Sequence, residues 1–222
     1  MQTKQLVFFL FIIPYLLVAQ IDTSYFSSAR KWEVGMNATS VVSNFLGNSD
    51  AEILSPGDYP FFFKKIINNR SALRVGAGAK LSMKTEQQFT GGTNTLKTGE
   101  NAVNLRIGYE GRSYLSRRWM VYYGLDVVSG VFDRASSSQA GGDVISTEDK
   151  GFTIGGGPVY GLQFGLGRRI HVGFEGSFYA YQNIGTKSTT FLNNPDLDAE
   201  SKIRSFNAYL AVPKWLYVII KF

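Results

Sequence analysis

Cysteine is absent from the 222-residue chain. That excludes disulfides, thiolate metal sites, a cysteine nucleophile and the thiol that a lipoprotein's acyl chain needs. Histidine occurs once, as His171, and no metal-ligand spacing is found. Charged residues make up only 18% of the chain, low for a soluble protein. Beyond Ala19 no stretch offers 18 consecutive apolar residues, so any later membrane insertion must be by strands. A net charge of +6 calls for acidic partners, nucleic acid or anionic lipid. With no Lys/Arg-rich helix and no zinc spacing, a nucleic-acid partner is not expected.

Chemistry-bearing motifs are equally scarce. Gly76-Ala77-Gly78 and Gly155-Gly156-Gly157 lack the strand–turn–helix setting of a phosphate loop. Asn37-Ala38-Thr39 and Asn69-Arg70-Ser71 fit the glycosylation triplet, a pattern that chance often supplies. His171 follows the short turn Gly167-Arg168-Arg169, at the rim opposite the loops where a Ser/His or Asp/His hydrolase in a barrel wall would sit. The chain is expected not to be an enzyme, with no catalytic, cofactor-binding or metal residues and no cofactor.

What the chain does have is aromatic residues, 14%, and 24 glycines. Met1 to Ala19 carries Lys4 and then an apolar run from Leu6 to Val18. This reads as a cleaved signal peptide, since a helical span needs about 20 apolar residues. A short leader covers residues 20–31, and a transmembrane β-barrel domain is expected over 32–222. Its end, from Lys202 to Phe222, places Phe206, Ala208, Leu210, Val212, Leu216, Val218, Ile220 and Phe222 on one parity. A period of two marks a strand, and so apolar a terminal strand suits closure of a barrel inside a bilayer.

Seven further alternating segments precede it. They begin near Trp32, Tyr59, Leu73, Val103, Trp119, Phe152 and Val172. The facing of Tyr59 to Ile67 is not decided by alternation, because that run is apolar apart from Lys64 and Lys65. Polar loops are expected at 47–58, 90–101, 134–150 and 186–201, the third Ser/Gly-rich and mobile. Short turns alternate with them at Asn68 to Ser71, Ser116 to Arg118 and Gly167 to Arg169. An even strand number with such asymmetry predicts an all-β fold, an eight-stranded antiparallel up-and-down transmembrane barrel.

Charges on the apolar strands fall on the opposite parity. Glu33, Arg74, Lys80, Arg106, Glu110, Arg112, Asp126 and Glu175 form an expected lumen network of four cations and four anions. Unpaired charges in a narrow, side-chain-filled barrel would each cost several kcal/mol, roughly, so pairing is expected. Inward glycines leave room for the long side chains. The alternative is a soluble, exported, lipocalin-like binder, with the apolar face turned inward. Trp32, Trp119, Trp215 and Tyr217 are candidate membrane-interface anchors, with the direction of Trp215 depending on a bulge at Pro213. Arg117, Arg118, Arg168 and Arg169 in the short turns are placed either to meet phosphate headgroups or to sit in solvent.

The chain resembles the small outer-membrane β-barrels of the OmpA/OmpX-like kind, in the "outer membrane protein beta-barrel domain" group of Gram-negative bacteria. The resemblance rests on the signal peptide, the eight alternating segments, Trp119-Met120-Val121-Tyr122-Tyr123-Gly124-Leu125-Asp126 and the final Leu216 to Phe222. It implies a bacterial outer-membrane location and contact with outer-membrane lipids. It also implies that Leu216, Val218, Ile220 and Phe222 form the signal read by the barrel-assembly machinery. A structural or surface-interaction role with an extracellular partner met through the loops is the leading expectation. An outer-membrane enzyme acting on lipid or peptide, and a narrow channel, are the alternatives.

Overall fold

Eight strands follow one another in chain order, each antiparallel to the next: β1 (Trp32–Asn37), β2 (Phe61–Asn68), β3 (Ser71–Gln88), β4 (Asn94–Tyr114), β5 (Trp119–Ala140), β6 (Asp143–Gly165), β7 (Ile170–Phe191) and β8 (Ala199–Lys221). The last pairs with the first, Gly35 opposite Ile219, which closes the barrel. The computed structural model describes residues 30–38, 59–88, 94–140 and 143–222, with backbone alone at 86–88, 94–95, 139–140, 143 and 211–215. The expected signal peptide, most of the expected leader and the expected 47–58 loop lie outside the described residues.

The short turns fall where composition placed them, between β2 and β3, β4 and β5, and β6 and β7. Three of the expected long loops, those at 90–101, 134–150 and 186–201, are much shorter than their polarity suggested. β4 already begins at Asn94, and β5 and β6 stay in register through the Ser/Gly-rich 134–150 segment up to Ala140 opposite Asp143. β7 continues to Phe191, and a 3-10 turn at Pro195–Leu197 leads into β8 at Ala199. Serine and threonine are compatible with extended backbone, and a strand whose neighbour also continues keeps satisfying its backbone groups. Polar hairpins therefore rise beyond the apolar part of the wall.

Side-chain direction separates the two faces sharply. Leu125 is 68% exposed and Ile107 63%, whereas Arg74 and Glu110 are both 0% exposed. The undecided run on β2 resolves with Phe62, Lys64 and Ile66 inward and Phe61, Phe63 and Ile67 outward. Inside, Met120 packs with Tyr122 and Phe62 with Tyr217 and Ile219. Tyr59, Val128, Val159 and Tyr179 form another cluster. Between β7 and β8 the register slips at Glu175/Ser177, whose partners are Trp215 and Ala211. Pro213, which has no N–H for the ladder, falls inside that irregularity.

Inward glycines mark where a neighbour's long side chain crosses the wall. A Cβ on Gly76 would lie 2.4 Å from Nε of Arg106. That guanidinium is held by its carboxylate partner Glu175 and cannot swing away freely. Gly76→Ala should lower stability by about 1–3 kcal/mol, the cost of overpacking a filled interior. The urea midpoint of the folded barrel reads this directly, and an unchanged midpoint would mean that Arg106 is loosely held.

Candidate functional site

Seven of the eight strands send polar side chains into one continuous network. It starts near the short turns, where Lys221 Nζ on β8 lies 2.9 Å from Glu33 on β1. Arg112 on β4 donates from Nη1 and Nη2 to the two oxygens of Glu33, 3.0 Å each. Its Nε donates to Glu110 at 2.8 Å. The other oxygen of Glu110 accepts from Lys64 on β2 at 2.7 Å and lies 3.5 Å from Arg74 on β3. The Arg–Glu33 fork is the bidentate geometry in which guanidinium and carboxylate match best.

Higher in the lumen Arg74 bridges to a second centre. Its Nη2 donates to Glu175 on β7 at 2.7 Å, and its Nε lies 3.3 Å from Asp126 on β5. Glu175 also accepts from Arg106 Nη1 and, at 2.9 Å, from the Tyr122 hydroxyl. Tyr179 donates to Asp126 at 2.6 Å. Rings cover the cations: Lys64 Nζ lies 4.1 Å from the Tyr122 centroid, and the Arg106 guanidinium 4.4 Å from that of Tyr59. Such contacts strengthen when water is excluded.

Strand β6 gives no charge to this cluster, and its inner face shows why. Gly161 lies beneath Tyr122, whose ring would meet an added Cβ at 2.2 Å. Gly157 approaches the β7 backbone so closely that a Cβ would lie 1.9 Å from the Phe178 carbonyl oxygen. Small residues on one strand make room for the long ones of the other seven.

Seven of the eight charges predicted from alternation lie in this network, namely Glu33, Arg74, Arg106, Glu110, Arg112, Asp126 and Glu175. Lys80 does not. It donates to Glu100 at 2.7 Å, and Arg134 donates to the same carboxylate at 2.9 Å. These three line a separate open cavity of about 430 Å³ at the hairpin end, together with Lys84, Asp149 and Lys187. Alternation reports which face a residue takes but not its height along the barrel. Lys64 and Lys221 were missed, so five cations meet four anions rather than four meeting four. Lys64 was hidden in an apolar run. Lys221 could have been found, since it shares the inward parity of β8.

Of the candidate anchors, Trp119 is 40% exposed and stacks on Phe164 at 4.6 Å. Trp32 packs on Phe63 at 4.9 Å. Tyr217 is not an interface residue. It is buried inside against Phe62, with ring centroids 5.0 Å apart, because the inward parity of β8 carries 217, 219 and 221. Trp215 pairs in register with Glu175, and its side chain lies outside the described residues. Of the final alternating set, Ile220 and Phe222 are exposed while Leu216 and Val218 are half-buried. His171 is fully buried at the short-turn end.

No family model matches the chain. No curated protein matches it either. Among solved structures it is similar to the crystal structure of Acinetobacter baumannii CarO, at 12% identity and a TM-score of 0.34, over 86% of this chain and 96% of that one.

Glu100 lies three residues beyond Val103, the last apolar outward residue of β4. Partial burial pushes its carboxyl up, but the hydrogen bonds and charges of Lys80 and Arg134 outweigh this and hold it below the usual carboxylate range. A depressed folded value adds stability above the unfolded value of about 4.3, and that stability is lost as pH falls through the folded value. Glu100→Gln should therefore reduce stability at neutral pH and flatten this part of the acid dependence. Urea midpoints measured from neutral pH downward would show the two proteins converging, and parallel curves would exclude the effect.

Proposed function

We propose that the chain is an outer-membrane β-barrel of structural or surface-interaction type, as its resemblance to OmpA/OmpX-like proteins implies. One observation carries this reading. On the same strands, charged side chains are buried and large apolar side chains are exposed, as with Asp126 at 3% beside Leu125 at 68%. Water would drive the reverse arrangement, and a lipocalin-like interior would be apolar. Lipid around the belt makes the observed one stable, since outward residues then meet hydrocarbon and inward ones meet each other.

In this reading the ion network plugs the lumen and the barrel conducts no ions. The tall polar hairpins on the far rim are the contact surface for an extracellular partner. The outward residues of β8, ending at Ile220 and Phe222, serve as the signal for the barrel-assembly machinery. No enzymatic activity and no cofactor are assigned. The carboxylates nearest to a catalytic cluster, Glu110, Asp126 and Glu175, are each engaged by cations.

The absence of cysteine makes the test simple. Single cysteines at Ile107 and Leu125, carrying nitroxide labels, should be accessible to oxygen and shielded from a water-soluble relaxation agent after reconstitution. The unlabelled protein should fractionate with outer membranes and shift on gels when boiled. Water-exposed labels and a soluble periplasmic fraction would overturn the proposal.

A further inference from the structure

Among the described residues the two rims of the barrel differ in charge. Every connection on the short-turn rim carries exposed or half-exposed cations: Arg70 between β2 and β3, Arg117 and Arg118 between β4 and β5, Arg168 and Arg169 between β6 and β7. At the β8–β1 seam stand Arg30 and Lys31, with Arg30 Nη1 donating to the Arg168 carbonyl at 2.9 Å. Among the described residues no acidic side chain shares this rim, because Glu33 and Glu110 are turned into the lumen. Among the described residues, the acidic side chains outside the lumen, from Glu100 through Glu148 to Glu200, lie towards the hairpin rim, mixed with Lys97, Lys150 and Lys202.

Tryptophan marks the border between the cations and the apolar belt. Trp32 follows Lys31 directly and Trp119 follows Arg118 directly. Lys65 lies with Nζ 5.3 Å from the Trp32 ring. Amphipathic rings settle at the headgroup level, and basic side chains just beyond them reach phosphates with their stems laid along apolar surface.

We infer that the short-turn rim is a binding collar for anionic phospholipid headgroups of the adjoining leaflet, an inference that rests on the membrane reading above. The spacing favours lipid over an acidic protein. A single macromolecular partner would be met by cations gathered on one face, whereas these occupy all three turns and the β8–β1 seam around the circumference. Each basic group near an anionic surface contributes favourably and independently, so a continuous layer of headgroups engages the whole ring at once.

The test uses tryptophan fluorescence of the full chain in phosphatidylcholine bilayers, with brominated phosphatidylglycerol or brominated phosphatidylcholine as quencher. At low salt the charged lipid should occupy the protein surface about fivefold more strongly, the effect of one well-placed cation at such a surface. High salt should erase the preference. Replacing Arg117, Arg118, Arg168 and Arg169 by glutamine should lower it markedly, while replacing Lys97, Lys150 and Lys202 should leave it unchanged. Equal quenching by both lipids at low salt overturns the inference. If the chain also binds a soluble polyanion through the same four arginines, an acidic macromolecule is the partner instead. Absence of quenching by either lipid would sink the membrane reading itself, and salt reversal on the native chain keeps the test decisive even if a variant folds poorly.

Discussion

Glu175→Ala should destabilise the barrel by about 3–5 kcal/mol, the usual effect of stranding buried charge. Three donors converge on this carboxylate, from Arg74, Arg106 and the Tyr122 hydroxyl. Without it, Arg106 is left with Asp126 at 3.6 Å, and Arg74 with longer contacts to Asp126 and Glu110. Neither guanidinium can reach bulk water, since both are 0–1% exposed. Urea unfolding of the reconstituted protein measures the loss. Adding Arg106→Met should restore part of it, because one stranded cation is then gone, with a coupling of about 0.5–3 kcal/mol. If Glu175→Ala alone loses less than about 1 kcal/mol, water hydrates the arginines and the lumen is not closed.

Leu125→Arg tests the outer face and separates a membrane barrel from a soluble one. Leu125 stands midway between Trp119 and Val131, both also outward, and is 68% exposed. In a bilayer an outward arginine at mid-depth costs about 2–4 kcal/mol, falling to about 0–1 near the interfaces. Leu197→Arg is the control, since Leu197 is 58% exposed in the 3-10 turn beyond the ladders. The expected result in lipid bilayers is a large loss for the first variant and almost none for the second. Equal, small effects would place both positions in water, where surface substitutions are commonly within about 0.5 kcal/mol.

The two substitutions also show what each face contributes. On the outside, identity matters little so long as the side chain is apolar, so Leu, Val, Ile and Phe interchange along the strands. Inside, each charge has named partners on strands far apart in sequence, as with Arg112 and Glu33, separated by 79 positions. Stability there depends on partners more than on burial, because an ion without its counter-ion is worse than an apolar residue of the same size.

Strand number, the short turns and the face taken by most side chains were legible, because a period of two survives even when composition is ambiguous. The limits are equally physical. Tyr59 to Ile67 has no polar–apolar alternation, so nothing in it announced that Lys64 would be the inward cation. Ser- and Thr-rich ends looked like loops, although a paired neighbour keeps such residues extended, as Ser137 opposite Ser146 shows. Aromatic character suggested an interface for Tyr217, yet an aromatic ring fits a filled lumen just as well.

By itself the sequence determined the alternation, and with it the separation of greasy and charged side chains onto opposite sides of a sheet. That is local chemistry, written into every second residue. Only the tertiary structure decided which side became the interior, that Lys80 stands apart with Glu100 while Lys64 and Lys221 enter the network, and that Arg30 and Lys31 join the turn arginines on one rim. Those outcomes depend on closure and on register between strands, which set the heights at which distant residues meet. No single strand carries that information.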